Sequence, residues 1–193
     1  MTSVLRLGFV PLIDAAPLIV ADALGFAEEE GLALDLYRAP SWASLRDNLV
    51  LGQVEAAHML SPVPVAMALG LGGAQSQLDA LSVLNANGNV IGVSQPLAGR
   101  MRDAGHDFAL DDARAAGLAL LAAAGERLRI GVPFPFSMHH ELVRYWLDGL
   151  GAPLPEGLRI VTVPPPRMAE ALAADEIDAF CVGERASVRS EAG

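Results

Sequence analysis

Cysteine is almost absent from this sequence: Cys181 is the only one in 193 residues. A single cysteine excludes a disulfide within the chain and leaves no cysteine pair that could hold a metal ion. Long apolar runs are missing as well, since no stretch approaches the roughly 20 residues that a membrane-spanning helix needs. We therefore interpret the alanine- and leucine-rich segments as buried helices and expect no membrane insertion.

Positive charge is also scarce. The chain has 13 Lys and Arg against 23 Asp and Glu, which gives a formal net charge of -10. A field of this sign repels nucleic acids and anionic membrane surfaces, so neither is expected as a direct partner. An anion bound by this protein needs a local site that works against the overall field.

The N-terminus lacks the pattern of a leader peptide. Its first residues, MTSVLRLGFVPL, have no basic region followed by a long apolar core and a small-residue cleavage site, and they lead directly into a strand pattern. This pattern predicts a cytoplasmic protein, or a periplasmic one if a leader has been removed.

What is present is enough apolar sequence for a sizeable core, with 52% hydrophobic residues and a mean hydropathy of +0.38. Strands and helices alternate along the chain. Periodicity and caps predict strands at Leu5–Val10, Leu32–Tyr37, Glu55–Leu60, Val83–Leu84 and Val90–Val93, and helices at Ala16–Glu30 (closed by Gly31), Ser44–Leu51 and Pro62–Leu69.

The second half continues the alternation. Predicted strands are Arg127–Val132, Leu158–Val163 and Ile177–Val182, and predicted helices follow Asp112, the Phe134 loop and Pro164. Strands separated by helices predict an α/β fold with a parallel sheet in each half, lobe 1 over residues 1–93 and lobe 2 over residues 94–193. Ligand sites are expected at the carboxyl ends of the strands.

Two adjacent histidines open the helix in FPFSMHHELVRYW, Phe134 to Trp146. Side chains of His139 and His140 would be about 100° apart around a helix, so they cannot share one metal ion. The i, i+4 spacing of helical zinc sites is missing too. We predict no metal and no cofactor, and the chain has none of the glycine-rich motifs that mark serine hydrolases, nucleotide-binding loops or dinucleotide-binding turns.

The remaining polar candidates fit an anion site. A helix N-terminus offers unpaired N–H groups and a partial positive charge, to which His139 could add a donor. Alternatively, His139 only caps its helix or packs against its neighbours. Trp42, in PSWASLRDN, either points its indole N–H into a cleft or fills the core. Asn89, in NANGN, either donates through its amide or turns the chain. Each alternative stays open at this point.

Several segments, in this order, resemble the nitrate and bicarbonate binding proteins of ABC importers. The resemblance is closer still to their leaderless cytoplasmic relatives, the nitrate and nitrite sensors of bacterial assimilation operons. It covers nearly all of the chain from Leu5 to Glu184. The segments are GFVPLIDAAPLIVADALGFAEEEGLALDLYRAPSW, RDNLVLGQVEAAHMLSPVPVAMALGLGG, NGN, FPFSMHHELVRYWL and VPPPRMAEALAADEIDAFCVGE.

The resemblance implies a type II periplasmic-binding-protein fold, in which two α/β lobes close on a ligand in a cleft. Trp42 matches the family's cleft tryptophan, Asn89 falls where the transport proteins carry a glutamine, and His139 matches the histidine that contacts the anion. His140 is then expected to face elsewhere. His58, in AAHML, is expected to support the site rather than touch the ligand, and the loop from Pro11 to Ala16 to form part of the cleft wall.

By the same resemblance the function would be nitrate or nitrite sensing. In such relatives the ligand-free protein sequesters an RNA-binding antitermination partner and nitrate releases it. One alternative is the solute-binding component of a nitrate or bicarbonate importer. Another is a thiamin-pyrimidine-synthase-like enzyme of the same fold, whose cysteine-rich iron motif is absent here, so we predict a non-enzymatic protein.

The sequence departs from the family near its end. Glu184 is followed by Arg185-Ala186-Ser187 where relatives have Pro-Trp, and the chain stops at Gly193. Relatives continue through a return segment that completes both lobes and carries a lysine of the anion site. The resemblance therefore predicts a fold that is incomplete at the C-terminus, and a chain that binds no ligand remains an alternative.

Overall fold

A computed structural model describes residues 3–73, 75–86 and 88–183 of the chain. Packing divides the chain into two compact units, Met1–Asn87 and Gly88–Gly193. The predicted departure at Arg185–Ser187 lies outside the described residues. Within the described ranges, every helix is too short or too polar to cross a bilayer.

The first unit is built on a three-stranded parallel sheet. Strands β1 (Ser3–Phe9), β2 (Leu32–Arg38) and β3 (Ala56–Ala57) lie in the order β2-β1-β3. Because all three are parallel, their carboxyl ends meet at one edge. The surrounding helices are a short 3-10 turn (Ile13–Ala15), α1 (Ala16–Ala23), α2 (Phe26–Glu29), α3 (Trp42–Val50) and α4 (Pro62–Ala68).

The second unit contains a four-stranded mixed sheet, in the order β4-β7-β5-β6. Its strands are β4 (Asn89–Val93), β5 (Arg127–Val132), β6 (Gly157–Thr162) and β7 (Ala179–Gly183). Strand β5 is parallel to β6 and β7, whereas β4 is antiparallel to β7. Its helices are α5 (Gln95–Asp103), α6 (Ala113–Ala124), α7 (Met138–Gly149), a 3-10 turn (Pro165–Arg167) and α8 (Met168–Ala173).

The core of the second unit holds α7 against the sheet. Leu147 from α7 lies in one buried cluster with Leu128 and Ile130 from β5, Leu97 from α5 and Leu120 from α6. Each of these side chains is at most 2% exposed. Burial of one such side chain contributes about 1.5–3 kcal/mol, so the cluster gives α7, and the histidines at its start, a fixed position.

The predicted helix Ala16–Glu30 is wrong as a single element. It breaks at Gly25, whose φ of 78° is incompatible with a continuing right-handed helix, and becomes α1 and α2. Gly31 does follow the second piece with a φ of 77°, as its predicted role at a helix end requires. Helix α1 buries none of its residues, so its apolar composition did not mark a core-facing stripe.

Two strand predictions also need correction. Val83 and Leu84 form no strand: residues 75–86 have no regular secondary structure, and Val83 is 85% exposed. The predicted strand Glu55–Leu60 shrinks to β3, because only Ala56 and Ala57 pair with β1. Helix α5 was not predicted, although Pro96 in its first turn is a common helix-start signal.

The alternation of elements predicted a parallel sheet in the second unit. This prediction is wrong for one strand, because the sheet is mixed. Strand β4 pairs residue by residue with β7, from Asn89 opposite Gly183 to Val93 opposite Ala179. The units therefore divide before β4, at Asn87 and Gly88, and not at residue 93. Asn89 consequently belongs to the second unit.

Candidate functional site

Three polar side chains meet at the carboxyl edge of the first sheet. Asp14 lies in the 3-10 turn after β1, Trp42 opens α3 after β2, and His58 directly follows β3. The His58 Nε2 atom lies 3.5 Å from Asp14 Oδ2. The His58 ring also meets the Trp42 indole edge-on, with ring centroids 5.2 Å apart and planes inclined by 64°. We call Asp14, Trp42 and His58 the first half-site.

The first half-site contains buried polar atoms without partners. Trp42 is 3% exposed and His58 is 7% exposed. Among the described residues, no hydrogen-bond partner reaches Trp42 Nε1, His58 Nδ1 or Asp14 Oδ1, all of which are buried. One buried polar atom left unpaired costs about 1–3 kcal/mol. Three on contacting side chains are exceptional in a native protein and indicate a place where a ligand completes the hydrogen bonding.

Local contacts fix the tryptophan and the histidine. Ser41 caps α3, its Oγ accepting from Ser44 N at 3.1 Å, so the helix starts two residues before the predicted Ser44 and places Trp42 in its first turn. His58 N donates to the Gly8 carbonyl at 2.9 Å. A Cβ at Gly8 would clash with Leu45, so the missing side chain at this position allows α3 to pack closely on β1.

A hydrogen bond to its backbone carbonyl holds Asp14 in place. The side-chain amide of Asn85 donates to the Asp14 carbonyl, which ties the irregular segment 75–86 to the 3-10 turn. Sequence reasoning assigned this turn to the cleft wall without singling out Asp14. The available signal was an acidic residue directly after a strand, in the otherwise apolar stretch PLIDAAP.

A second set of predicted residues lies at the carboxyl edge of the parallel strands in the second sheet. Helix α7 begins after β5, and Ser137 caps it, with Oγ accepting from His140 N at 3.2 Å and donating to the Phe134 carbonyl at 2.7 Å. His139 is the second residue of this 12-residue helix and is half-buried. Its position in the first turn, at the positive end of the helix dipole, suits an anion.

Asn89 lies at the same edge of that sheet. Since β4 is antiparallel to β7, its first residue pairs with Gly183 at the carboxyl end of β7. Asn89 is exposed, so its amide is accessible. We call Asn89, His139 and the first turn of α7 the second half-site.

His140 contacts the residue that follows it. Its Nδ1 atom lies 3.0 Å from the Glu141 carboxylate, which is itself 58% exposed. The structure thus pairs His140 with a surface acid on its own helix. In the described ranges, no group of three or more His, Cys, Asp and Glu side chains is arranged to hold a metal ion.

Comparison with known proteins gives a consistent family. The model of the NMT1-like family matches residues 2–185. The periplasmic nitrate-binding protein NrtA from Synechocystis superimposes with a TM-score of 0.81 at 29% identity, over 98% of this chain and 49% of that chain. The α/β fold is thus that of a periplasmic binding protein, and the resemblance to nitrate and bicarbonate binding proteins of ABC transporters is confirmed.

Curated relatives match almost all of this chain. The nitrate import ATP-binding protein NrtC of Synechococcus elongatus is 37% identical over 190 residues, 97% of this chain and 28% of that protein. The nitrate/nitrite binding protein NrtA of Nostoc is 34% identical over 189 residues, 95% of this chain and 41% of that protein. The chain thus spans well under half the length of these relatives. The NrtA relatives are named as binding proteins and not as enzymes.

Proposed function

Because this chain belongs to the NMT1-like family, we propose that it binds a small oxyanion, nitrate or nitrite, and that Trp42, Asn89 and His139 are its ligand-binding residues. The observation that carries the proposal is the first half-site, where Trp42 Nε1 and His58 Nδ1 are buried without partners at the carboxyl edge of a parallel sheet. In open α/β sheets this edge is where ligands bind. The nitrate named in the NrtA proteins supports the choice of anion.

Each proposed donor has a distinct role. The Trp42 indole can only donate, which suits an anion that only accepts. His139 and the first turn of α7 add a ring N–H and the positive end of the helix dipole, and Asn89 adds an amide N–H. A hydrogen bond to a charged group is worth about 1.5–3 kcal/mol, so three of them suffice for a specific site.

The finer proposal is a cytoplasmic sensor of nitrate assimilation. In its ligand-free form it would hold an RNA-binding antitermination protein, and nitrate would release that partner. The likeness of the sequence to leaderless nitrate and nitrite sensors supports this role. The second candidate is the solute-binding component of a nitrate or bicarbonate importer, which the similarity to a periplasmic nitrate-binding protein favours.

Isothermal titration calorimetry tests the ligand. The 193-residue chain is titrated with nitrate, nitrite and bicarbonate, beside His139→Ala and the matched control His140→Ala. We expect saturable binding of nitrate or nitrite that His139→Ala weakens about 10-fold or more, equivalent to loss of one charged hydrogen bond. The control should bind within about threefold of the parent, an allowance for a surface contact worth well under 1 kcal/mol. A chain that is folded by circular dichroism and takes up none of the three anions refutes the proposal.

A second experiment separates sensor from importer. The chain is mixed with the antitermination protein of its own operon, and the complex is followed by size-exclusion chromatography with and without nitrate. A complex that dissociates in nitrate supports the sensor. Recovery of the native protein from the periplasm by cell fractionation, together with no such complex, supports the importer component.

A further inference from the structure

The first half-site has a hydrogen-bonding pattern that nitrate alone does not satisfy. Trp42 Nε1 is always a donor, and an ionised Asp14 carboxylate only accepts. His58 faces Asp14 through Nε2, at 3.5 Å from Oδ2. In a neutral imidazole this contact places the ring hydrogen on Nε2, so that the buried and partnerless Nδ1 presents a lone pair.

Nitrate carries no hydrogen and three acceptor oxygens. A lone pair on His58 Nδ1 would repel it, whereas a protonated Nδ1 would donate to it. Protonation also changes the charge of the half-site: an Asp14 carboxylate beside a neutral ring repels an anion, but a carboxylate beside an imidazolium presents no net charge. Nitrate therefore fits the first half-site only when the His58 ring is protonated.

Resting on the proposed function, we infer that the Asp14–His58 pair distinguishes oxyanions without a hydrogen, such as nitrate, from oxyanions with a hydroxyl hydrogen, such as bicarbonate. His58 Nδ1 takes one proton from solvent when nitrate binds, and Asp14 is the positioning residue that holds Nε2 and so presents Nδ1 to the anion. Bicarbonate brings its own hydroxyl hydrogen, which can donate to the lone pair of a neutral His58 while its other oxygens accept from Trp42. Its binding needs no proton from solvent.

Three contacts of His58 in the first unit bear on its charge. Asp14 is a charged group that faces the ring. The Trp42 indole and the Gly8 carbonyl, which accepts from His58 N, are uncharged. His139 in the second half-site is the other histidine of the proposed site. The test therefore has to separate proton uptake at His58 from proton uptake at His139.

Calorimetry in two buffers of different ionisation enthalpy measures the protons taken up per nitrate. We expect uptake to approach one proton per nitrate at a pH where the ring of the ligand-free protein is neutral, and to fall as the pH is lowered. By linkage, nitrate Kd rises by up to about tenfold per pH unit wherever the uptake approaches one proton. Bicarbonate, titrated in a sealed cell as the ligand control, should show no uptake.

Variants assign the proton. His58→Gln should abolish the uptake and flatten the pH dependence of nitrate binding, while His139→Gln weakens nitrate binding but retains the uptake. Asp14→Asn should reduce the uptake, Asp14→Glu should restore it, and the exposed Asp22→Asn should leave it unchanged. A residue with only a structural role would change affinity without changing the number of protons.

The outcomes are distinguishable from failure of the proposed function. Nitrate binding with no buffer dependence in the parent chain overturns the inference and leaves oxyanion binding intact. So does an uptake that survives in His58→Gln and disappears in His139→Gln. A folded chain that binds no nitrate at any pH overturns both.

Discussion

Asp178 directly precedes β7 and binds Arg129 of β5. Replacing Asp178 should be among the most costly polar substitutions in the second unit. Its Oδ2 accepts from Arg129 N at 2.8 Å and from Arg129 Nε at 3.0 Å, and its Oδ1 accepts from Arg129 Nη2 at 2.9 Å. The two side chains are only 16% and 19% exposed. Asp178→Ala leaves the Arg129 backbone N–H without its acceptor and breaks two charge-assisted bonds.

The expected loss follows from these contacts. An orphaned backbone N–H costs about 1–3 kcal/mol, and the charge-assisted bonds add about 1–2 kcal/mol because water reaches part of the guanidinium. We expect a total near 3 kcal/mol. At about 2–4 °C per kcal/mol for a chain of this length, thermal unfolding followed by circular dichroism should show Tm falling by roughly 6–12 °C.

Asp175 offers a matched control because it binds the same guanidinium, at 3.1 Å, while being 77% exposed. Asp175→Asn should cost less than about 1 kcal/mol, since exposed ion pairs contribute little and Asn tolerates the φ of 55° at this position. Asp178→Asn should cost clearly more. Equal losses for the two Asn variants would refute the reasoning.

The same pair predicts a pH dependence. Burial raises the pKa of Asp178, but hydrogen bonds and charge from Arg129 outweigh burial and hold that pKa below its ordinary value of 3.8. The folded state therefore binds this proton less tightly than the unfolded state, so the stabilisation is complete above about pH 4 and is lost as pH falls through the native pKa. The stability gap between the parent and Asp178→Asn should shrink from pH 6 to pH 3, and a constant gap would contradict this origin.

Three further results are expected. Trp42→Phe should weaken nitrate binding about 10-fold or more in calorimetry, without breaking a protein hydrogen bond. Trp146→Phe loses a 2.8 Å hydrogen bond to the Ala113 carbonyl, so it should lower Tm in thermal melts but leave nitrate affinity unchanged. The reverse pattern would contradict the proposed site. Ser137→Ala should cost about 1–2 kcal/mol in urea unfolding through loss of the α7 cap. Burial raises the pKa of Cys181 to about 12, so prompt labelling of the native protein by a thiol reagent at pH 8 is not expected.

Elements bounded by strong local signals were predictable. Strand Arg127–Val132 was placed without error, because a glycine turn precedes it and four of its six residues are buried: Leu128, Ile130, Gly131 and Val132. Helix α6 starts directly after Asp112, as predicted, and the Asp112 side chain caps it by accepting from Ala115 N. The helix after Pro62 was also placed to within one residue. In each case the start signal and the apolar pattern lie within one segment.

Predictions failed where an apolar pattern did not reflect burial. Val83 lies in a short apolar run but is exposed, and the apolar residues of α1 cover no core. The orientation of β4 was also beyond a local pattern, since a short apolar run such as Val90–Val93 pairs equally well with a parallel or an antiparallel neighbour. Its pairing with β7 moved Asn89 from the first unit to the second.

The sequence by itself determined the alternation of strands and helices, the presence of a helix after the Phe134 loop, and, through its resemblance to a family, Trp42 and His139 as candidate donors. The tertiary structure alone decided that Asp14, Trp42 and His58 touch. These three residues follow three different strands and come together only when β1, β2 and β3 align in parallel at one edge. Periodicity and capping report how one segment is solvated, whereas contact between distant segments depends on which strands pair and in which direction.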